Sequence, residues 1–181
     1  MASFFRNKLY SDIPTTEVVV LTTNGGTRST VIGLSLSNKS DTIATANIRL
    51  QNNTVGAISV TNSSGSATLT GISDSTAANI NVGDFITGTN VPLGARVLSK
   101  TNTGVEQNTV VMTVASAGGA VASATFFSSS YYIKDVIVAP NQSLRVINGG
   151  EKLILATNMT MHVNSNSADS LDLVMSYVDI V

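Results

Sequence analysis

Residues 171–181 read LDLVMSYVDIV, and apolar side chains recur there at every second position. Successive side chains of a β-strand point to opposite faces, so Leu171, Leu173, Met175 and Tyr177 would share one face with Asp179. Valine and isoleucine stand between them and make the second face apolar as well. We therefore predict a strand buried on both sides, either at the centre of a sandwich or against a neighbouring subunit. If a subunit covers it, the first four side chains are interface candidates.

The same alternation extends through the rest of the chain. Val, Ile and Thr, whose branched Cβ suits a pleated strand, dominate these stretches, and Gly, Asn or Ser separate them. Helical spacing of apolar residues is nearly absent. The pattern predicts an all-β fold, an antiparallel β-sandwich of jelly-roll-like or Ig-like type. The predicted strands are 16–22, 30–37, 43–50, 57–61, 67–72, 84–87, 95–99, 109–115, 122–127, 131–139, 143–147, 152–156, 159–163 and 171–179.

The composition excludes several classes of protein. The 181 residues carry a net charge of -1 and form no basic cluster, so we expect no nucleic-acid partner. Without cysteine the chain has neither disulfides nor thiolate ligands for a metal. Its apolar runs are far shorter than the roughly 18 residues of a membrane-spanning helix, and residues 1–13 lack the order of a signal peptide. We therefore expect no membrane partner, and a protein that stays in the compartment of its synthesis until something releases it.

Charge divides the chain into two parts. Lys and Arg lie mostly within 1–53 and 128–181, whereas 54–127 is rich in Ser, Thr, Gly and Ala. We predict a base β-sandwich formed by 1–53 plus 128–181, with 54–127 inserted in it as a small β module. The polar segments 51–53 and 128–130 would be the linkers. The alternative is one continuous sandwich with long hairpins.

Aromatic and basic residues cluster before the first predicted strand. Phe4, Phe5, Arg6 and Tyr10 fall within residues 1–13. Arginine and aromatic side chains are good anchors at interfaces, so this segment is a candidate N-terminal arm that docks on a neighbour, and these four are interface candidates. The alternative is that they cover one end of the chain's own sandwich.

No constellation of residues indicates catalysis. His162 is the only histidine, and no Gly-x-Ser-x-Gly motif presents a serine nucleophile. One His and no Cys leave a zinc site short of ligands. The carboxylates lie mostly at predicted turns, where local hydrogen bonds explain them better than a glycosidase pair does.

Calcium is the one metal for which oxygen ligands stand close together in the sequence. Asp74 and Asp84 lie near Asn79 and Asn81, but the spacing matches no calcium-binding loop, and turns capped by Asp and Asn explain them. We expect a protein that is not an enzyme and that holds no cofactor and no metal ion.

Three stretches resemble proteins of tailed bacteriophages. Residues 30–38, TVIGLSLSN, resemble an early strand of small virion structural proteins. Residues 131–181 resemble the ending of those virion β-sandwiches, with YYIKDVIVAPNQSL, then GGEKL, then SLDLVMSYV. The middle block, with SATLTGIS at 66–73, VGDFITGTNVPLGA at 82–95 and TVVMTV at 109–114, resembles a module of phage tail and surface proteins. The resemblance implies a virion component and supplies no active-site residues.

This resemblance leads to an expected function. We expect a non-enzymatic structural protein of a tailed-phage virion, assembled in the host cytoplasm, that oligomerises as a trimer or ring and attaches to the particle. Its partners would be other virion proteins of the capsid, connector or tail. We favour a capsid decoration or cement protein; the alternative is a neck, collar or tail accessory protein of the fibre or baseplate. A glycan-binding or receptor-binding module is the alternative from another class.

Overall fold

The structure, a computed structural model, describes residues 2–101 and 108–181. It is all-β with antiparallel sheets, which confirms the predicted fold class of a β-sandwich type. Within the described residues the elements are β1 (Ser3–Tyr10), β2 (Val18–Thr22), β3 (Arg28–Asn38), β4 (Ala44–Ser59), β5 (Thr68–Ile72), α1 (Asp74–Asn79), β6 (Phe85–Thr87), β7 (Val97–Lys100), β8 (Asn108–Met112), β9 (Ser123–Val138), β10 (Ser143–Ile147), β11 (Leu153–Leu155), β12 (Met159–Ser165) and β13 (Leu171–Ile180).

The chain divides into two compact units. The first comprises Met1–Gln51 and Ser130–Val181, and the second comprises Asn52–Ser129. The expected linkers at 51–53 and 128–130 are wrong, because these residues lie inside the long strands β4 and β9. Asn and Ser are typical of loops by composition, but a strand's conformation is set by its pairing with neighbours as much as by its own residues.

The first unit is built from two sheets around one core. One sheet has the order β1-β13-β3-β10, with β11 also paired to β3, and the other contains β2, β12, β4 and β9 in that order. We call them the first and second sheets. Fully buried side chains from both sheets form the core, among them Leu36 and Leu171 from the first and Ile48, Met161 and Val163 from the second. Each sheet therefore has one face on this core and one outer face.

The final strand is central, but only one of its faces is buried. β13 pairs with β1 on one edge and β3 on the other. Leu171, Leu173 and Met175 lie in the core, whereas Val174 on the opposite face is 43% exposed. The prediction that β13 is buried on both sides is therefore wrong, because no described layer of the first unit lies over the outer face of the first sheet.

The segment expected as an N-terminal arm belongs to the chain's own sheet. Residues 3–10 form β1, which runs antiparallel to β13 from the pair Ser3–Ile180 to the pair Tyr10–Leu173. This arrangement is closer to the alternative, in which the segment covers part of its own sandwich. β1 is the edge strand of the first sheet.

The second unit has a core of its own. Strands β5, β8 and β7 form a three-stranded sheet, and β6 pairs with residues 125–127 of β9. Leu69, Ile72, Met112 and Phe126 are buried among them. The short helix α1, absent from the predicted elements, is capped at its N-terminus by Ser73, whose hydroxyl accepts a hydrogen bond from the backbone of Thr76. In the part of the chain that the structure describes, no helix is long and apolar enough to cross a membrane.

Gly88 in the second unit should not tolerate a side chain. A Cβ at this position would lie 2.3 Å from the backbone oxygen of Ser123, so the backbone would have to move. We expect Gly88→Ala to lower the free energy of unfolding by about 1–3 kcal/mol, as overpacking does. Urea unfolding followed by circular dichroism measures this loss.

Gly56 supplies the matched control. Nothing lies within 4 Å of a Cβ at Gly56, so Gly56→Ala should leave the free energy of unfolding unchanged or raise it slightly. Equal stability of the two variants would contradict the close approach at Gly88.

Candidate functional site

The outer face of the first sheet carries two rows of apolar side chains, all of them exposed except the half-buried Val178. Pairing across the strands places Leu9 beside Val174, and Phe5 beside Val178. Ile154 of β11 continues the second row, since both Val178 and Ile154 pair with Thr30. Phe5 is 81% exposed and Leu9 is 71% exposed. We name the side chains of Phe5, Leu9, Ile154, Val174 and Val178 the outer apolar face.

A polar row separates the two apolar rows. Ser176 pairs with Asn7 on one side and Gly33 on the other, and the Ser176 hydroxyl donates a 2.8 Å hydrogen bond to the Asn7 side-chain oxygen. This bond holds two neighbouring strands together at their outer surface. The apolar rows are thereby kept in a fixed spacing on a rigid sheet.

A groove of about 260 Å³ opens beside this polar row. Gly33 and Ser35 of β3 line it together with Val174 and Ser176 of β13, and Arg145 of β10 adds a positive charge. Its lining holds no histidine and no carboxylate, so a general base for serine chemistry is missing from it.

The predicted interface residues of β13 serve the fold. Leu171, Leu173 and Met175 are buried in the core of the first unit, and Tyr177 packs against that core while half-buried. Burial raises the pKa of the Tyr177 hydroxyl, and the charge of Asp179 adds to this effect. We therefore assign these four residues to the sandwich rather than to a contact with a partner.

The predicted interface residues of β1 divide between the two faces of the strand. Phe5 points to the outer face, whereas Phe4, Arg6 and Tyr10 lie on the core side of the sheet. Tyr10 packs against the core. Arg6 Nε lies 2.7 Å from an oxygen of Asp179, and its guanidinium lies 5.7 Å from the centre of the Phe4 ring. Only Phe5 among these four contributes to the outer apolar face.

Sequence reasoning missed Leu9 and Ile154. Neither belongs to a pattern that marks an exposed strand face, because each gains its neighbours through pairing with a distant strand. The alternation of residues 171–181 did indicate Val174 and Val178 as a second apolar face. Register across the sheet is the missing signal, and a single sequence does not supply it.

The outer face of the second sheet has a different chemistry. Glu17 accepts hydrogen bonds from the Arg49 guanidinium at 2.8 and 2.5 Å, and Arg49 also donates to Gln51 at 3.0 Å. The Nε2 atom of His162 lies 2.8 Å from the Thr160 hydroxyl, and its Nδ1 lies 3.9 Å from a Glu17 oxygen. The cluster is therefore an ion pair joined to a histidine and a hydroxyl.

The Thr160 hydroxyl, the His162 imidazole and the Glu17 carboxylate follow the order of nucleophile, base and carboxylate in a catalytic triad. Their geometry does not suit hydrolysis. The 3.9 Å gap between His162 and Glu17 is longer than a hydrogen bond, and Arg49 engages the carboxylate that would orient the ring. Thr160 is buried, which leaves its hydroxyl out of reach of a substrate. The residues act as a structural network.

The electrostatics of the cluster follow from the same contacts. The hydrogen bonds from Arg49 lower the pKa of the Glu17 carboxyl. Burial lowers the pKa of the His162 imidazole, the positive charge of Arg49 adds to that effect, and Glu17 opposes it. The cluster is therefore built for a neutral histidine beside a charged pair.

The residues considered for calcium lie in the second unit and make protein contacts. Asp74 accepts a hydrogen bond from the Asn108 side chain at 2.7 Å, and Asp84 accepts one from the backbone of Asn81 at 2.9 Å. The Asn79 side chain donates to the backbone oxygen of Ser75. Among residues 2–101 and 108–181, no three His, Cys, Asp or Glu side chains group as a metal site would require.

The neutral state of His162 predicts a pH dependence of stability. Below pH 6.5 the unfolded chain takes up a proton on this residue, whereas the folded protein does so only at lower pH. The stability contributed by the neutral imidazole is complete above pH 6.5 and is lost as the pH falls from 6.5 through the folded pKa. Urea unfolding at pH 7, 6 and 5 should show this loss.

His162→Gln supplies the control, since Gln cannot titrate and retains polar atoms that can bond to Thr160. This variant should show a flatter dependence between pH 7 and 5. Glu17 affects stability only below pH 4.5, because its pKa is lowered, and so does not interfere. An unchanged slope in His162→Gln would assign the effect to other groups.

The chain was compared with known protein families, with curated proteins and with solved structures, and nothing in any of the three comparisons matches it.

Proposed function

We propose that this protein is a non-enzymatic structural component of a tailed-phage virion that attaches to the particle, as a capsid decoration or cement protein. The outer apolar face carries this proposal, together with the resemblance of residues 30–38 and 131–181 to virion β-sandwiches. Exposed apolar side chains grouped on a rigid sheet are typical of a surface that another protein covers.

The size of the apolar contribution supports an attachment role. Burying one exposed Phe, Leu or Val side chain stabilises a contact by about 1.5–3 kcal/mol. Phe5, Leu9 and Val174 are all exposed and lie on neighbouring strands, so one partner surface can cover them together. Many copies bound across a shell would add the same contribution at each site and strengthen the contacts between capsomers.

The second sheet provides an internal comparison. Its outer face carries the bonded cluster of Glu17, Arg49 and His162, which satisfies its polar groups within the chain. Phe5 and Leu9 of the outer apolar face, by contrast, are apolar and remain exposed to solvent. Of these two outer faces, the one on the first sheet is the better candidate for docking.

Placement at the neck, collar or tail, as an accessory protein of the fibre or baseplate, is the alternative position on the particle. The same apolar face would serve there, because a ring around a connector also needs a repeated docking surface. Localisation on the particle decides between the two positions.

A glycan-binding module is less well supported. Tyr131 and Tyr132 are both exposed on β9, but consecutive side chains of a strand point to opposite faces, so the two rings do not form one stacking platform. Lys134 lies 5.5 Å from the centre of the Tyr131 ring. Binding on a glycan array that is lost in Tyr131→Ala would revive this alternative.

Labelling of intact particles tests the location. We expect immunogold with antibody against the whole protein to label the head of the particle evenly. Label confined to the neck or tail would favour the accessory role. Particles without any label would contradict the virion function itself.

A pair of valine variants tests the surface. Val174 on the first sheet and Val19 on the second are 43% and 49% exposed, so a lysine fits at either place. We expect Val174→Lys to reduce binding to particles that lack the protein by roughly tenfold or more, since a charge would replace an apolar contact. Cosedimentation of purified protein with particles measures the binding.

Val19→Lys should bind like the natural protein. Far-UV circular dichroism of both variants checks that each is folded. Equal binding of the two variants would show that the outer apolar face does not dock on the particle.

A further inference from the structure

The edge strand β1 presents unpaired backbone groups in a regular order. Ala2 and Val181 exchange both of their backbone hydrogen bonds, at 3.1 and 3.0 Å, which sets the alternation along the β1–β13 pair. The N–H and C=O groups of Phe5, Asn7 and Leu9 therefore point away from β13. In the described ranges no strand pairs with this second edge of β1.

The sequence of β1 is symmetric in character about Asn7. Residues 4–10 read FFRNKLY, and reading them backwards gives YLKNRFF. An antiparallel copy centred on Asn7 would place Phe5 opposite Leu9 and Phe4 opposite Tyr10. Aromatic side chains paired with aromatic or aliphatic ones are favourable across antiparallel strands.

We infer that β1 pairs antiparallel with β1 of a second copy of this chain, with Asn7 opposite Asn7. In this register the outward N–H and C=O groups of Phe5, Asn7 and Leu9 meet those of the second copy and form about six hydrogen bonds. The pairing joins two copies of the five-stranded first sheet into one continuous sheet. The occupant of the free edge is thus a second copy.

The dimer extends the docking surface. A twofold axis perpendicular to the sheet keeps both outer faces on the same side, so Phe5 of one copy lies beside Leu9 of the other. The rows that contain Val174 and Val178 then run without interruption from one subunit into the next. The use of this enlarged surface for docking rests on the proposed attachment function, whereas the dimer itself does not.

One contact opposes the pairing. Arg6 lies opposite Lys8 of the second copy on the core side of the sheet, and like charges in such a position are unfavourable. Asp179 lies 2.7 Å from Arg6 Nε and places a carboxylate beside the two cations. The repulsion is therefore reduced in this register.

The interface involves one strand from each copy and is smaller than the standard contact of about 800 Å² per partner. We expect a dimer that dissociates on dilution in free solution. Attachment of neighbouring copies to one particle raises their local concentration and favours the pairing.

Single cysteines test the register, because the natural chain contains none and any disulfide is then between two copies. In Asn7→Cys the two Cα atoms would be about 5.5 Å apart, within the range of a disulfide. In Phe5→Cys or Leu9→Cys the two equivalent atoms would be about 15 Å apart, because four residues at about 3.4 Å each separate them along the strand and about 5.5 Å separates them across it. We expect oxidation to cross-link Asn7→Cys at least tenfold faster than either of the others.

A mixture of Phe5→Cys and Leu9→Cys supplies the positive control for those two positions. Each protein alone should cross-link slowly, and the mixture should form the heterodimer quickly, since Phe5 faces Leu9 of the other copy. Equal rates for Asn7→Cys and Leu9→Cys alone would overturn the register. Rapid cross-linking of Val174→Cys instead would move the contact to the outer apolar face and would overturn the edge pairing.

Asn7→Pro tests the edge without a cross-link. Proline removes the outward N–H of residue 7 and leaves the backbone bonds to β13 in place, although the side-chain bond from Ser176 is lost. Sedimentation should give the natural protein twice the 18.7 kDa mass of the monomer at high concentration, and Asn7→Pro the single mass with an unchanged far-UV spectrum. A monomeric natural protein at every concentration, with slow cross-linking of Asn7→Cys, would overturn the dimer, whereas particles without label would overturn only the proposed function.

Discussion

The pairing of β13 with strands on both of its edges is the constraint on which the first unit depends. β13 holds β1 along one edge and β3 along the other, and thereby brings residues 3–10, 28–38 and 171–180 into one sheet. Leu171, Leu173 and Met175 on its inner side fill the core. Because side chains alternate, the same pairing places Val174 and Val178 on the outside. The outer apolar face is a consequence of how the core is made.

The sequence predicted those parts of the fold whose pattern lies within a single stretch of the chain. The all-β class and the strands at 30–37 and 171–179 correspond to β3 and β13, since the alternation is contained in each strand. β1 was not predicted as a strand: FFRNKLY has no alternation of apolar and polar residues, and its conformation comes from pairing with β13. The polar residues 51–53 and 128–130 were misread as linkers for the same reason, because their strand structure depends on partners elsewhere in the chain.

The candidate site could be predicted only in part. The second apolar face of residues 171–181 was visible in the sequence, but its exposure was not, because exposure depends on how many layers the fold stacks over a sheet. Leu9 and Val174 are neighbours on the outer face although 165 positions separate them, and only the register of β1 on β13 joins them. Residue type predicts Phe4, Phe5, Arg6 and Tyr10 equally as interface candidates, whereas the register on β13 places Phe5 on the outer face and the other three on the core side.

The two sheets enclose one core, yet their outer faces carry different kinds of side chain. On the second sheet Glu17 bonds to Arg49 and Thr160 bonds to His162, so these polar groups are satisfied within the chain. On the first sheet Phe5 and Leu9 stand on an edge strand with unpaired backbone groups, an arrangement that usually leads to aggregation. Arg6 and Lys8 on the same strand restrict such pairing, because a partner strand must either carry acidic groups or meet them in a register that Asp179 relieves. An edge strand that can pair, but only with certain partners or in certain registers, is suited to one defined partner rather than to indiscriminate association.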